Sequence, residues 1–341
     1  MTSSISSSDS VAVAETASEW RRWLAAFLGV PVIGACLILA FLIAVDPYDT
    51  GKFGLLSING VNDQNTVTAI PSRARDLQFD SAVIGNSTVQ RLNPAELSQA
   101  TGLHFVQLYK IGGTPGEILT ILDLFMRKHP HPRALIIGAD PFWCWHDREE
   151  PAQNLPYWLY DQSFIEYAVR LISWRSIEHA FQRISIGLGY HQRAIVDGFF
   201  NYEEIWPPGL FRDTARPADP VPAATAAERE MFPAIARLDA AIKKIPSDVP
   251  IILFVPPTLA TTVAQPGSVA ATEREACNAA LERTVASRPH SRFINYRVDN
   301  ALTRNPDDFA DFVHYRGAIA ERISQGIIAT LRLGPAAKIE F

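Results

Sequence analysis

The chain has 341 residues, 48% of them hydrophobic, which suits one large domain with appendages or two modest ones and excludes disorder throughout. Its 31 Lys and Arg stand against 36 Asp and Glu, a formal charge of -5 with no long basic run, which argues against nucleic acid as a partner.

In chain order, residues 1–22 open on a Ser-, Ala- and Thr-rich stretch without apolar periodicity, read as a disordered cytoplasmic tail. Residues 23–45, "WLAAFLGVPVIGACLILAFLIAV", carry no charge. At about 1.5 Å per residue they are long enough to cross a bilayer as a signal anchor. Pro31 and Gly34 are tolerated in such a helix. Arg21 and Arg22 precede the span and Asp46 and Asp49 follow it. The expectation is a single-pass inner-membrane protein with its N-terminus in the cytoplasm and its main body periplasmic. A cleaved signal peptide is the competing reading, one that needs a shorter apolar core and a small-residue cleavage site. Cys36 lies in the span; Cys144 and Cys277 remain for an oxidising compartment and could pair, although no spacing requires it.

Residues 46–79 hold turn signals ("DPYDTGKFG", "NGVNDQN") and read as a linker packing on the domain. From 80 to 335 short apolar runs at 81–85, 103–109, 134–138, 249–255 and 291–296 alternate with helical segments. Asn93, Pro94 and Glu96 mark one helix start. Thr114, Pro115 and Glu117 form a capping-box signature ahead of a helix over 115–128, and Ala-rich helices follow at about 226–245, 269–287 and 316–332. The alternation predicts a three-layer α/β/α domain, flavodoxin-like, with a parallel sheet of about five strands. The third and fourth strands are too far apart for a plain crossover. An insertion at about 141–225 is therefore expected, helical around 162–187 and then Pro-rich, a candidate lid or partner surface.

Ligands bind open α/β sheets beyond the carboxyl ends of the strands, where Ser87 follows the first strand in "VIGNST". A serine acts as nucleophile when a base reaches it and a third group orients the base. "DFADFVHY" offers such a pair, Asp311 three residues before His314, so that the carboxylate can hold Nδ1 and leave Nε2 for Ser87. The "HPHP" histidines at 129 and 131 lack spaced acidic or Cys partners and read as a helix end, with no metal site expected. Trp143 and Trp145 in "FWCWHD" could stack on a sugar or simply pack.

With "VIGNST", "VQLYKIGGTPGE" and "DFADFVHY" in that order behind an anchor, the chain resembles the SGNH (GDSL-type) hydrolases. Within them it resembles the membrane-anchored, alginate O-acetyltransferase-like branch. The resemblance covers about residues 75–332. It implies Ser87 as nucleophile, His314 as base and Asp311 as its partner, with the N–H groups of Ser87 and of Gly112 or Gly113 as oxyanion donors. It further implies acyl transfer, acetyl in the first instance, to or from hydroxyls of an extracytoplasmic polysaccharide, by a serine esterase chemistry that needs no cofactor or metal. For a transferase it implies a membrane acyl-donor protein as partner. One departure stands out: where the family offers an asparagine as a further donor, "GADPFW" has Asp140, an acceptor when ionised, suited instead to a sugar hydroxyl or to orienting a loop. Asn86 and Asp140 thus join Trp143 and Trp145 as candidate substrate contacts. A catalytically impaired glycan-binding or assembly component of a polysaccharide export apparatus is the alternative function.

Overall fold

Five short strands form one all-parallel sheet: β1 (Ser81–Asn86), β2 (Phe105–Lys110), β3 (Ala134–Gly138), β4 (Ile251–Val255) and β5 (Arg292–Asn295), in the order β2-β1-β3-β4-β5. The computed structural model describes residues 7–53, 55–56, 58–63, 67–145, 155–206 and 232–341. The strands lie at the positions the apolar runs predict. β1 to β4 are buried along their whole length, the reason they read as unbroken hydrophobic runs rather than alternating ones.

The helices in chain order are α1 (Ser7–Val45), α2 (Ile70–Ala74), α3 (Pro94–Thr101), α4 (Pro115–Lys128), α5 (Tyr157–Tyr160), α6 (Phe164–Leu171), α7 (Trp174–Gly187), α8 (Pro233–Ile242), α9 (Val269–Val285) and α10 (Gly317–Leu333). Two apolar layers sandwich the sheet. On one face Ala82, Ile84, Leu135, Ile137 and Leu253 pack with α4, α8 and α9. On the other, Val83, Ile136, Ile252 and Phe254 pack with α3 and α10. Such alternation of neighbouring strand residues between two cores is what a covered parallel sheet demands. Full burial of each Val, Leu or Ile contributes roughly 1.5–3 kcal/mol, so these two layers carry most of the fold's stability.

The helix starts follow their sequence signatures. Asn93 accepts from the Ala95 N–H at 3.0 Å, while Thr114 and Glu117 make the reciprocal capping box, Thr114 N donating to Glu117 Oε2 at 3.0 Å.

Within the stretch read as a disordered tail, helical backbone begins at Ser7 and runs unbroken through the apolar segment to Val45; residues 1–6 lie outside the described residues. Adding residues to a formed helix is far easier than nucleating one, and the Ala and Glu of the tail are good helix formers. The stretch Ser18–Val45 is apolar and long enough to cross a membrane, and its hydrophobic side chains are largely exposed. The segment after it is more than a linker. Asp46 and Asp49 are buried; Asp49 pairs with Arg75 and Arg183, and accepts from Ser72 Oγ at 2.6 Å and the Gly60 N–H at 2.7 Å. At the other end the domain continues past residue 335, with Phe341 packed edge-on against Tyr296 at 4.7 Å.

Among the described residues, the interval between β3 and β4 contains a 3-10 turn at Pro141–Cys144, α5, α6, α7, a second 3-10 turn at Tyr202–Glu204, and then α8. The Pro-rich loop expected within it and the start of the helix expected at 226 lie outside the described residues. Cys144 and Cys277 form a disulfide with Cα atoms 5.5 Å apart, tying the turn after β3 to α9.

Candidate functional site

The strand order places β1 between β2 and β3: the chain steps from β1 to β2 on one side and then crosses back to β3 on the other. This crevice is where doubly wound sheets bind ligands. Register brings three loops to the same level there. Asn86 pairs with Lys110 and Ile84 with Ile137, so the turns carrying Ser87, Gly112 and Asp140 leave the sheet side by side.

Ser87 begins a single 3-10 turn, Ser87–Val89, capped by Asn86, whose side-chain oxygen accepts from Thr88 N at 3.0 Å and Thr88 Oγ1 at 2.8 Å. The turn folds back over the sheet so that Val89 lies against the ends of β1 and β3. A Cβ at Gly138 would stand 2.4 Å from the Val89 methyl, which is why β3 ends in glycine.

His314 Nε2 lies 2.8 Å from Ser87 Oγ, and His314 Nδ1 lies 2.7 Å from Asp311 Oδ2. The other Asp311 oxygen accepts the Val313 and His314 N–H groups, each at 2.8 Å, so the carboxylate both orients the imidazole and closes the loop that carries it. With Nδ1–H donated to Asp311, Nε2 is left as the acceptor for the serine hydroxyl. Burial works to raise the Asp311 carboxyl, but the His314 hydrogen bond, the imidazole charge and the two amides together hold it below its ordinary value. The serine is 9% exposed and the His314 side chain 14%, so the pair is shielded while still open to an entering group. A base positioned on a hydroxyl and itself held by a carboxylate can take the hydroxyl proton as the oxygen attacks a carbonyl.

Of the two glycines considered as donors, Gly113 is corrected. Its N–H closes a turn onto Lys110 O at 2.9 Å and is not free for an oxyanion. Gly112 adopts φ +61, a left-handed conformation suited to glycine, and no bond to its N–H is found among the described residues. It stands just before α4, whose N-terminal end carries partial positive charge.

Asp140 is buried and accepts on both oxygens, from the Phe142 N–H at 3.0 Å and from the Asn86 side-chain amide. Burial pushes its carboxyl from 3.8 up to about 7; the Phe142 N–H, Arg297 and Asn86 oppose the rise only in part. Asp140 therefore orients Asn86 and through it the turn bearing Ser87. Trp143 does not reach a ligand. It is 1% exposed and packed in the core beneath α4 and α8, so its role is packing. Trp145 is exposed at the end of the same turn, edge-on to Phe142 at 4.7 Å, with a face open to solvent.

Four site residues escape sequence reasoning: Arg91, Tyr202, Glu203 and Trp206. The rings of Tyr202 and Trp206 flank His314 at 5.7 and 5.4 Å, the Tyr202 hydroxyl donates to Tyr315 O, and Arg316 Nη1 donates to Trp206 O at 2.9 Å. Glu203 accepts the Gly317 N–H at 2.6 Å, at the start of α10, and pairs with Arg91 Nε at 3.1 Å. The concentration of aromatics in "GFFNYEEIW" marks the segment, but nothing in its spacing says which loop it covers.

Fold and site thus define an open α/β protein with a Ser–His–Asp constellation at its topological switch point. No family model matches the chain, and no curated protein matches it in sequence.

Proposed function

We propose that this is a membrane-anchored, extracytoplasmic serine acyltransferase or esterase of the SGNH type, acting on acyl groups, acetyl in the first instance, carried by polysaccharide hydroxyls. The observation that carries the reading is the unbroken hydrogen-bonded chain from Ser87 Oγ through His314 to Asp311, with distances of 2.8 and 2.7 Å. Serine attack on an acyl carbonyl passes the hydroxyl proton to His314 Nε2 and places negative charge on the carbonyl oxygen, facing the N–H groups of Ser87 and Gly112. Collapse expels the donor's alkoxide, which takes the proton from His314 and leaves an acyl-serine. A sugar hydroxyl or water then attacks that ester, giving its proton to His314, and Ser87 is regenerated. Transfer requires an acyl donor on the same side of the membrane, which a membrane acyl-donor protein would supply.

Orientation rests on Arg21 and Arg22 before the span. Asp46 and Asp49 no longer count as a free acidic flank, because both are buried in the junction with the domain. The Cys144–Cys277 disulfide supports an oxidising, periplasmic side for the domain. Trp145 is the residue best exposed to stack on a sugar ring.

The test is fluorophosphonate labelling of the full chain in detergent. Wild type is expected to label and Ser87→Ala to stay unlabelled; absence of label on folded wild type would overturn the catalytic reading in favour of a glycan-binding role. Acetate released from an acetylated glycan, against acetate gained by an unacetylated one, separates esterase from transferase.

A further inference from the structure

Helices α6 and α7 each bury one face and leave a second apolar face uncovered. On α6, Tyr167 and Leu171 point into the core, whereas Ile165 and Val169, followed by Ile172, make an exposed stripe at spacings of four and three. On α7, Ser176, Ala180 and Arg183 are buried, whereas Trp174, Phe181 and Leu188 recur every seven residues along an exposed side. Ile165 and Trp174 are each 79% exposed, an unusual state for side chains of this size on a water-facing surface.

The position of this face says what covers it. Both helices pack on the end of α1, where the Phe41 ring meets Phe181 at 5.8 Å. Along α1 the apolar side chains stay largely exposed as far as Ala40, and burial against the domain sets in at Phe41 and Leu42. A hydrocarbon layer of about 30 Å takes about 20 helical residues. Counted from the Trp20–Trp23 pair at the far end, it runs out where the α6–α7 face begins. The junction is also stiff. The Arg183 guanidinium donates to Val45 O, Asp46 O, Asp49 Oδ1 and Ile58 O, and Tyr167 donates to Asp46 Oδ1, so α6 and α7 are clamped to the helix end.

We infer that the α6–α7 face is a lipid-docking surface. It sets Ile165, Val169, Ile172, Trp174, Phe181 and Leu188 into the headgroup–acyl boundary of the leaflet from which α1 emerges. Exposed Arg170 and Arg175 are offset by Glu166 and Glu178, so apolar insertion rather than charge supplies the attraction, and zwitterionic lipid suffices. Trp174 and Tyr190 supply the amphipathic rings that favour this depth. The inference rests on the reading of α1 as a membrane span.

The test uses the full chain in phosphatidylcholine vesicles with one nitroxide label at a time. The label is placed on native Cys36, or on Val169→Cys, Trp174→Cys and the water-facing control Glu321→Cys in a Cys36→Ser background, the disulfide left intact. Relative accessibility to oxygen and to a water-soluble nickel complex reads depth. The expectation is a deep Cys36 label, labels at 169 and 174 about 5–10 Å into the boundary, and a label at 321 in water. Labels at 169 and 174 that behave like 321, or that are shielded from both reagents as by a protein partner, while Cys36 is deep, overturn the docking surface alone. A nickel-accessible Cys36 overturns the span and the docking surface together. As a second measurement without cysteine substitution, lipids brominated near the headgroup should quench wild-type fluorescence more than that of Trp174→Phe. Equal quenching of the two counts against docking.

Discussion

His314 Nε2 stands 2.8 Å from Ser87 Oγ although 227 residues separate the two in the chain. They meet because β1, the inner strand that leads into Ser87, is flanked by β2 and β3, and the loop carrying His314 leads into α10, which packs beside α3, the helix that follows the Ser87 turn. In the proposed reaction the three groups act on one proton, so their removal should be strongly non-additive. Ser87→Ala and His314→Gln should each abolish turnover of an acetyl ester to background. Asp311→Asn should lower kcat by about a thousandfold or more, because the imidazole loses both its tautomer and its orientation. Steady-state rates of the single variants and of the triple variant check this.

Asp140 should make stability depend on pH. Its carboxyl stands at about 7 in the fold against an ordinary 3.8. Between those values the folded protein holds a proton that the unfolded chain has released. Stability from this group is therefore greatest at low pH, falls as pH rises from about 4 to about 7, and is level above. Melting temperatures of wild type and Asp140→Asn from pH 4.5 to 8.5 should show the wild-type advantage shrinking across that window.

The same substitution should not restore an oxyanion donor. Above about pH 7, where Asp140 is ionised, both its carboxyl oxygens accept, so an asparagine must set its NH2 against either the Asn86 amide or the Phe142 N–H. Asn86 cannot flip without losing Thr88. Asp140→Asn is expected to reduce fluorophosphonate labelling several-fold, by roughly 1 kcal/mol of lost hydrogen bonding at the turn. A faster rate would show Asp140 to be a poor substitute for the amide.

Glu203 reaches no reacting atom; it holds the Tyr202–Trp206 segment to Arg91 and to the start of α10. Charge-assisted bonds of this kind fix a neighbour's position rather than bind substrate. Glu203→Gln is expected to lower kcat about tenfold with KM little changed, since a 1.4 kcal/mol loss of orientation is tenfold in rate. An increase in KM with kcat unchanged would place Glu203 in substrate binding.

Cys144 and Cys277 enclose a long loop of chain, which a disulfide shortens in the unfolded state. Replacing both by Ala should cost about 2–4 kcal/mol and lower the melting temperature by roughly 5–10 °C. Labelling of Ser87 at 20 °C should persist in that variant, because the bridge joins the turn after β3 to α9 and touches no member of the triad.

Much of this architecture is local in origin. Fully buried parallel strands are continuous apolar runs, so "SAVIG", "ALIIG" and "VPIILFV" announce themselves. Asn93 and Thr114 cap helices with groups a few residues away, and Asp311 holds His314 across a spacing of three. For the same reason the apolar stretch in α1 and the Asp311–His314 pair are legible from composition and spacing alone. What the tertiary structure decided is everything that depends on two distant segments sharing a place. Packing took Trp143 into the core and left Trp145 outside; burial turned Asp140 from a possible ligand contact into the acceptor that orients Asn86. The insertion's aromatics are visible in sequence, but their placement on His314 at one end and beside the apolar helix α1 at the other is not. A side chain's neighbours across the fold are set by how helices and strands stack, and no local pattern encodes that.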